Sequence, residues 1–318
     1  MEQVKELKAI LHSKRANIYY LQKCRVMQKD GRVLYLTQAQ DEYQYWNIPI
    51  ANTTCLLLGT GTSITQSAVR MLASAGVLIG FTGGGATPLF MGAEIEWMTP
   101  QSEYRPTEYL QGWMGFWFDE AKRLVVAKHF QQQRLDYLQR IWLTDRELMA
   151  AGFVVGQEEL DALVDSQRHA IEQATSTQAL LTAEALASKK LYRLSAQICG
   201  YRGFKRNHEG GDPANDFLNH GNYLAYGLAA TTLWALGIPH AFAVMHGKTR
   251  RGALVFDVAD LVKDALVLPW SFALGQQGVS EQEFRQHCIH NFVRHRALDW
   301  MFDCVKRASE FSKQLPLA

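Results

Sequence analysis

The chain changes character once, between residues 98 and 106, and that break constrains the fold more than any other feature. Before it, short β-prone runs alternate with turn signals. After it, the pattern is almost entirely helical. The break holds Pro100, Pro106 and several polar residues, a composition suited to an interdomain linker. The length of 318 residues leaves room for two domains of ordinary size. The expected organisation is a β-rich domain over 1–97, a linker over 98–106 and a helical domain over 107–318. The fold class is then α+β, a small N-terminal β-sandwich-like domain followed by a larger all-α domain.

Within the first part, 16–21 and 32–37 are short β-prone runs, and Asp30-Gly31 before the second signals a hairpin turn. Segments 54–58 and 76–81 read as buried strands. Between them, 63–75 has helical character, with Ile64, Ala68, Met71 and Leu72 on one face. Beyond the linker, helices are expected over 113–142, 158–174, 182–198, 215–236 and 281–315. Gly237, with Pro239 just beyond, is a normal helix stop.

Composition narrows the function classes. With 47% hydrophobic and 20% charged residues the chain has material for a core, so general disorder is excluded. A net charge of +2 is near balance, so a nucleic-acid partner would require basic residues gathered on one face. Five scattered cysteines without a CxxC pair fit reduced thiols rather than a disulfide framework or a thiolate zinc site. Segments 71–93 and 221–245 carry no Asp, Glu, Lys or Arg, yet glycines or prolines interrupt both. A spanning helix needs about 20 continuous apolar residues, so buried elements with turns are expected instead. The N-terminus lacks the apolar core of a signal peptide. A cytoplasmic protein without a membrane partner is the expectation.

Two glycine-rich stretches carry little chemistry. Gly59-Thr60-Gly61-Thr62-Ser63 precedes a helix, where free N–H groups can cradle an anion, but it lacks the Lys-Ser/Thr ending of a nucleotide loop. A plain turn is the expectation. Thr82-Gly83-Gly84-Gly85 reads as a tight structural turn.

The helix from 182 is more informative. Glu184, Ala187, Leu191, Leu194 and Ile198 share one stripe. Glu184 would then point inward, a costly placement unless the carboxylate is paired or bound to metal. Alternatively it sits in the first helical turn, favoured by the helix dipole. Between 182 and 206 it is the only acid among Lys189, Lys190, Arg193, Arg202, Lys205 and Arg206. That pattern suits either a salt-bridge partner on a solvated face or a ligand in a groove for a polyanion.

The strongest local constellation runs from His246 through Lys248, Arg250 and Arg251 to Asp257 and Asp260. On a helix, Asp257, Asp260 and Asp264 fall at i, i+3 and i+7 and share a face, where they repel one another unless cations compensate. Asp257 alone would serve as an N-cap, and Asp264 as a solvated charge. Asp260 lies between them. Taken together, Glu, His and Asp suit Mn²⁺ or Mg²⁺, which prefer oxygen and accept some imidazole.

With these residues in place the chain resembles a known family. The Glu184 helix, Leu218-Asn219-His220-Gly221-Asn222-Tyr223-Leu224, Gly237-Ile238-Pro239, His246 and Asp257-Val258-Ala259-Asp260 follow one another as in the CRISPR-associated integrase Cas-one (Cas1). Residues 17–26 and 118–123 resemble its subtype I-F branch. The resemblance covers nearly the whole chain. It implies a metal triad of Glu184, His246 and Asp260 holding Mg²⁺ or Mn²⁺, with Asp257 as a supporting acid. It implies that Lys189, Lys190, Arg193, Arg202, Lys205, Arg206, Lys248, Arg250 and Arg251 grip DNA. The implied reaction is attack by a 3′-hydroxyl of a short duplex on a phosphodiester of a repeat array. The implied partners are double-stranded DNA (spacer ends and the repeat array), a second copy in a homodimer, and Cas-two (Cas2), which in the I-F branch is fused to Cas-three (Cas3). A stand-alone metal-dependent nuclease and a non-catalytic DNA-binding scaffold are the competing readings.

Overall fold

The computed structural model describes residues 15, 17–39, 42–83, 95–100, 106–247 and 252–311. It divides into two compact units, Met1–Arg105 and Pro106–Ala318.

The first unit has strands β1 (Asn17–Leu21), β2 (Arg25–Lys29), β3 (Arg32–Ala39), β4 (Glu42–Ile48), β5 (Thr53–Leu58), β6 (Ser63–Ile64), β7 (Leu78–Thr82) and β8 (Ile95–Met98), with helix α1 (Gln66–Ser74). One sheet has the order β1-β5-β7-β8 and the other β4-β3-β2-β6. Leu56 and Leu58 of the first sheet share a core with Val26, Val33 and Ile48 of the second and Leu72 of α1. That is the sandwich-like arrangement the sequence implied. β5 is buried at every position and paired in parallel on both sides, which explains its uninterrupted apolar run. Asp30 and Gly31 both adopt positive φ, at 50° and 71°, the two-residue turn whose twist suits the β2–β3 hairpin. The Gly59-Thr60-Gly61 stretch is a plain turn followed by β6, and α1 begins only after Thr65, whose side chain accepts from Ala68 N. Gly84 and Gly85 lie outside the described residues.

The second unit is helical: α2 (Glu108–Trp117), α3 (Glu120–Thr144), α4 (Arg146–Ala150), α5 (Gln157–Gln173), α6 (Thr177–Ile198), α7 (Pro213–Ala235), α8 (Leu254–Leu266), α9 (Leu268–Gln277), α10 (Glu281–Arg294) and α11 (Ala297–Phe311). The expected single helix over 113–142 is two. Asp119 takes the backbone N–H groups of Ala121 and Lys122, which caps α3 and ends the continuity with α2. The last expected helix also divides, at Arg296 with φ 55°. α6 begins five residues earlier than expected, because Ser176 caps it through Ala179 N at 3.1 Å. α7 is buried almost throughout and packs against α8, α9, α10 and α11, so its polar residues must be satisfied internally. Among the described residues no helix is long and apolar enough to cross a membrane.

Candidate metal centre

The site is built where α3, α6 and α8 meet the loop that precedes α8. Two devices hold that loop. On one side, the indole N–H groups of Trp113 and Trp117 donate to the carbonyls of Phe242 and Ala243 at 3.0 and 2.8 Å. On the other, the Asp257 carboxylate accepts from the backbone N–H of Val244 at 2.7 Å, Met245 at 3.1 Å and His246 at 3.2 Å. Its remaining contact is His246 Nδ1 at 2.6 Å.

Asp257 is therefore not the N-cap of its own helix, which starts three residues earlier at Leu254. It folds the loop and fixes the histidine. A carboxylate on Nδ1 requires that nitrogen to carry the proton, which leaves the Nε2 lone pair available as a ligand. Nε2 points at Glu184, 3.6 Å from Oε2.

Glu184 is eight residues into α6, not in its first turn, so the dipole alternative fails. It is buried, as the apolar stripe required. Asp264, expected as a solvated charge, is buried too and bound to the Arg134 guanidinium. Arg134 also donates to Glu184 Oε1 at 2.6 Å. Asp260 is buried with the Lys263 ammonium in ion-pair contact, and Arg134 Nη1 lies 4.0 Å away. Lys263 meets Oδ1, and Oδ2 is left without a hydrogen bond.

Charge explains how these groups coexist. Burial pushes the Glu184 pKa up, with Asp260 adding to that push and Arg134 and His246 opposing it. Burial alone would raise Asp260 as well, but Lys263, Arg134 and His246 outweigh it and hold the carboxyl well below its ordinary range. Burial would lower His246, yet the Asp257 hydrogen bond and the charges of Asp260, Asp257 and Glu184 raise it above its ordinary value. Four carboxylates (Glu184, Asp257, Asp260, Asp264) thus face two permanent cations (Arg134, Lys263). In the state that would bind a metal, with Glu184 ionised and His246 neutral, two negative charges remain, which one divalent cation would cancel.

The donor set fits such an ion. One ligand atom each from Glu184, His246 and Asp260 lie within 4.8 Å of one another. The three open onto a cavity of about 320 Å³ that Ser188, His208 and Lys263 also line.

The basic residues divide. Lys189, Lys190, Arg193, Arg202 and Lys205 are exposed. Arg206 is half-buried, and its guanidinium donates to the Asn207 carbonyl at 2.6 Å, to Asn215 Oδ1 at 3.0 Å and to Asn219 Oδ1. It ties the loop before α7 to that helix. Lys248, Arg250 and Arg251 lie outside the described residues. Sequence reasoning missed Arg134, Lys263, His208 and the two indoles. A signal for Arg134 existed: Ala127, Phe130, Arg134, Leu138 and Ile141 recur at helical spacing, so an arginine occupies a core position.

A small β unit is followed by a helical unit whose largely buried Glu-His-Asp cluster, a candidate metal site, opens on a cavity. The family model for CRISPR associated protein Cas1 matches residues 18–293. The CRISPR-associated endonuclease Cas1 of Pseudomonas aeruginosa is 60% identical, over 96% of this chain and 97% of its own length. That of Pectobacterium atrosepticum is 54% identical, over 95% and 94%. Among solved structures, a casposase bound to integration product superposes with a TM-score of 0.70 at 12% identity, covering 95% of this chain and 92% of that one. The chain belongs to the Cas1 family of CRISPR-associated endonucleases.

Proposed function

We propose that this enzyme is the integrase of CRISPR adaptation, joining the 3′-hydroxyl ends of a short DNA duplex to phosphodiesters at a repeat array. The observation that carries the reading is the largely buried Glu184–His246–Asp260 cluster, which brings one ligand atom from each residue within 4.8 Å of the others. In this reading Glu184, His246 and Asp260 hold Mg²⁺ or Mn²⁺. The bound ion supplies Lewis-acid polarisation of the scissile phosphate and a lower pKa for the attacking hydroxyl. Asp257 keeps His246 in the ligand tautomer, and the Asp257-bound loop keeps it in place. Lys263, on the cavity wall beside Asp260, presents a positive charge toward an entering phosphate. The exposed Lys189, Lys190, Arg193, Arg202 and Lys205 grip the DNA backbone without reading sequence. Arg206 acts on the protein itself, holding the loop that carries Lys205 and His208.

A spacer has two ends and each joining uses one, so two active sites in a homodimer are required. Cas2, fused to Cas3 in the I-F branch, is the further partner. The five free cysteines suit the reducing cytoplasm. The domain boundary of this reading is a linker over 98–106. The competing reaction, hydrolysis by the same residues with water as nucleophile, is favoured by the endonuclease name of the relatives. The test is a labelled short duplex incubated with a supercoiled repeat-array plasmid, the Cas2 partner and Mn²⁺. Label should join the plasmid when the 3′ ends are hydroxyl and stay free when they are blocked. Plasmid cutting that ignores the 3′ end would select the nuclease.

A further inference from the structure

The face of α8 offers three acids where the proposed site uses one, and a residue of α3 accounts for part of that selection. Arg134 is buried, with 5% of its side chain exposed. Its Nε donates to Asp264 Oδ2 at 2.7 Å, and Nη2 contacts the same oxygen. Its Nη1 donates to Glu184 Oε1 at 2.6 Å and to Gln131 Oε1 at 3.3 Å, while Nη2 reaches Ser188 Oγ at 3.4 Å. Asp260 Oδ2 lies 4.0 Å from Nη1, beyond hydrogen-bonding distance.

The acids are therefore committed to different degrees. Asp257 is taken by the loop and His246. Asp264 is taken by two nitrogens of Arg134. Glu184 is held by one oxygen, which leaves its other oxygen directed at His246 Nε2. Asp260 has Oδ1 against the Lys263 ammonium and keeps Oδ2 without a hydrogen bond. The oxygens left over are those that the ion would need.

We propose that Arg134 is a positioning residue that sorts the carboxylates of the site, turning one oxygen of Glu184 toward the metal position and withdrawing Asp264 from it. This rests on the metal-site reading above. The work requires a planar fork with several donors in fixed directions. A lysine, a point charge on a flexible stem, would serve one carboxylate at a time.

The test is the Mn²⁺ dissociation constant of the purified full chain, measured by electron paramagnetic resonance beside the melting temperature without metal. Wild type is compared with Arg134→Lys and with the double variant Arg134→Gln/Asp264→Asn, which removes the ion pair as a unit and keeps the interior charge balanced. Glu184→Gln and Asp260→Asn serve as controls. Both Arg134 variants should bind Mn²⁺ about 10–100-fold more weakly, the usual effect of losing a partner that orients a ligand. At saturating Mn²⁺ Arg134→Lys should recover most of its joining rate, because the loss lies in holding the ion. A folded Arg134 variant that binds Mn²⁺ as tightly as wild type overturns the proposal. A double variant that cannot fold also overturns it, by making Arg134 purely structural. If the two control variants lose Mn²⁺ binding while the Arg134 variants keep it, only the role of Arg134 falls. If the controls bind like wild type, the metal site itself falls.

Discussion

Replacing Asp257 with asparagine tests how the site is held. The carboxylate accepts two contacts on each oxygen: Val244 N and Met245 N on Oδ2, His246 N and His246 Nδ1 on Oδ1. Asparagine keeps one oxygen and turns the other into a donor. Two of the four contacts then become neutral hydrogen bonds, each losing about 1 kcal/mol of charge assistance. If the amide faces Val244 and Met245, two buried N–H groups lose their acceptor at about 1–3 kcal/mol each. If it faces His246, the ring must accept at Nδ1, and its proton moves to Nε2, the nitrogen that faces Glu184. The first arrangement costs stability and the second costs the ligand. Destabilisation of at least about 3 kcal/mol is expected, equivalent to roughly 6–12 °C in melting temperature for a unit of this size. The ligand effect is read separately. An ion at 100 times its dissociation constant stabilises by about 2.7 kcal/mol, and a 100-fold weaker site leaves only about 0.4 kcal/mol. Thermal melts with and without Mn²⁺ measure both. An Asp257→Asn protein that melts like wild type and keeps the full Mn²⁺-induced rise would mean that this carboxylate neither holds the loop nor orients His246.

Other outcomes follow from the same geometry. His246 has a raised pKa in the metal-free protein, so its protonation competes with the ion. Mn²⁺ affinity should fall as pH drops through that value, and the fall should begin above the ordinary histidine pKa of 6.5. Titration by electron paramagnetic resonance checks this. The metal-free protein should show the opposite trend. A raised pKa contributes stability that is fully present below the unfolded value and lost as pH rises through the folded one, so melting without metal should weaken across that window. Substituting the exposed Arg193 or Lys205 with alanine should leave the melting temperature unchanged and reduce the salt dependence of DNA binding, by about 0.9 in log–log slope for each phosphate no longer neutralised. Arg206→Ala should instead lower the melting temperature, since its guanidinium is engaged with Asn215 and Asn219.

The sequence shows the division into a strand-rich and a helical part because period-two and period-3.6 patterns differ along the chain. It also shows the inward face of Glu184, because an acid on an apolar stripe has few cheap explanations. It does not show β2, β4 or β8, which lack a clean apolar alternation. Tyr43, Tyr45 and Trp46 of β4 are largely exposed, so that strand carries no buried face to read. Helix boundaries shift where a single cap decides them, as Ser176 and Asp119 do. The roles of Asp257 and Asp264 are hidden for a different reason. Their partners lie 11 to 13 residues away in the loop and 130 residues away on α3, and no local pattern carries such pairings. Spacing alone leaves three equivalent acids on α8, and tertiary partners distinguish them.

The most direct measurement compares wild type with His246→Ala for label joined from a 3′-hydroxyl duplex to a repeat-array plasmid, with Cas2 and Mn²⁺ present. Wild type should join label, and the variant, still folded and still binding the duplex, should join none. Joining by His246→Ala at the wild-type rate would contradict the assignment of the reaction to this site.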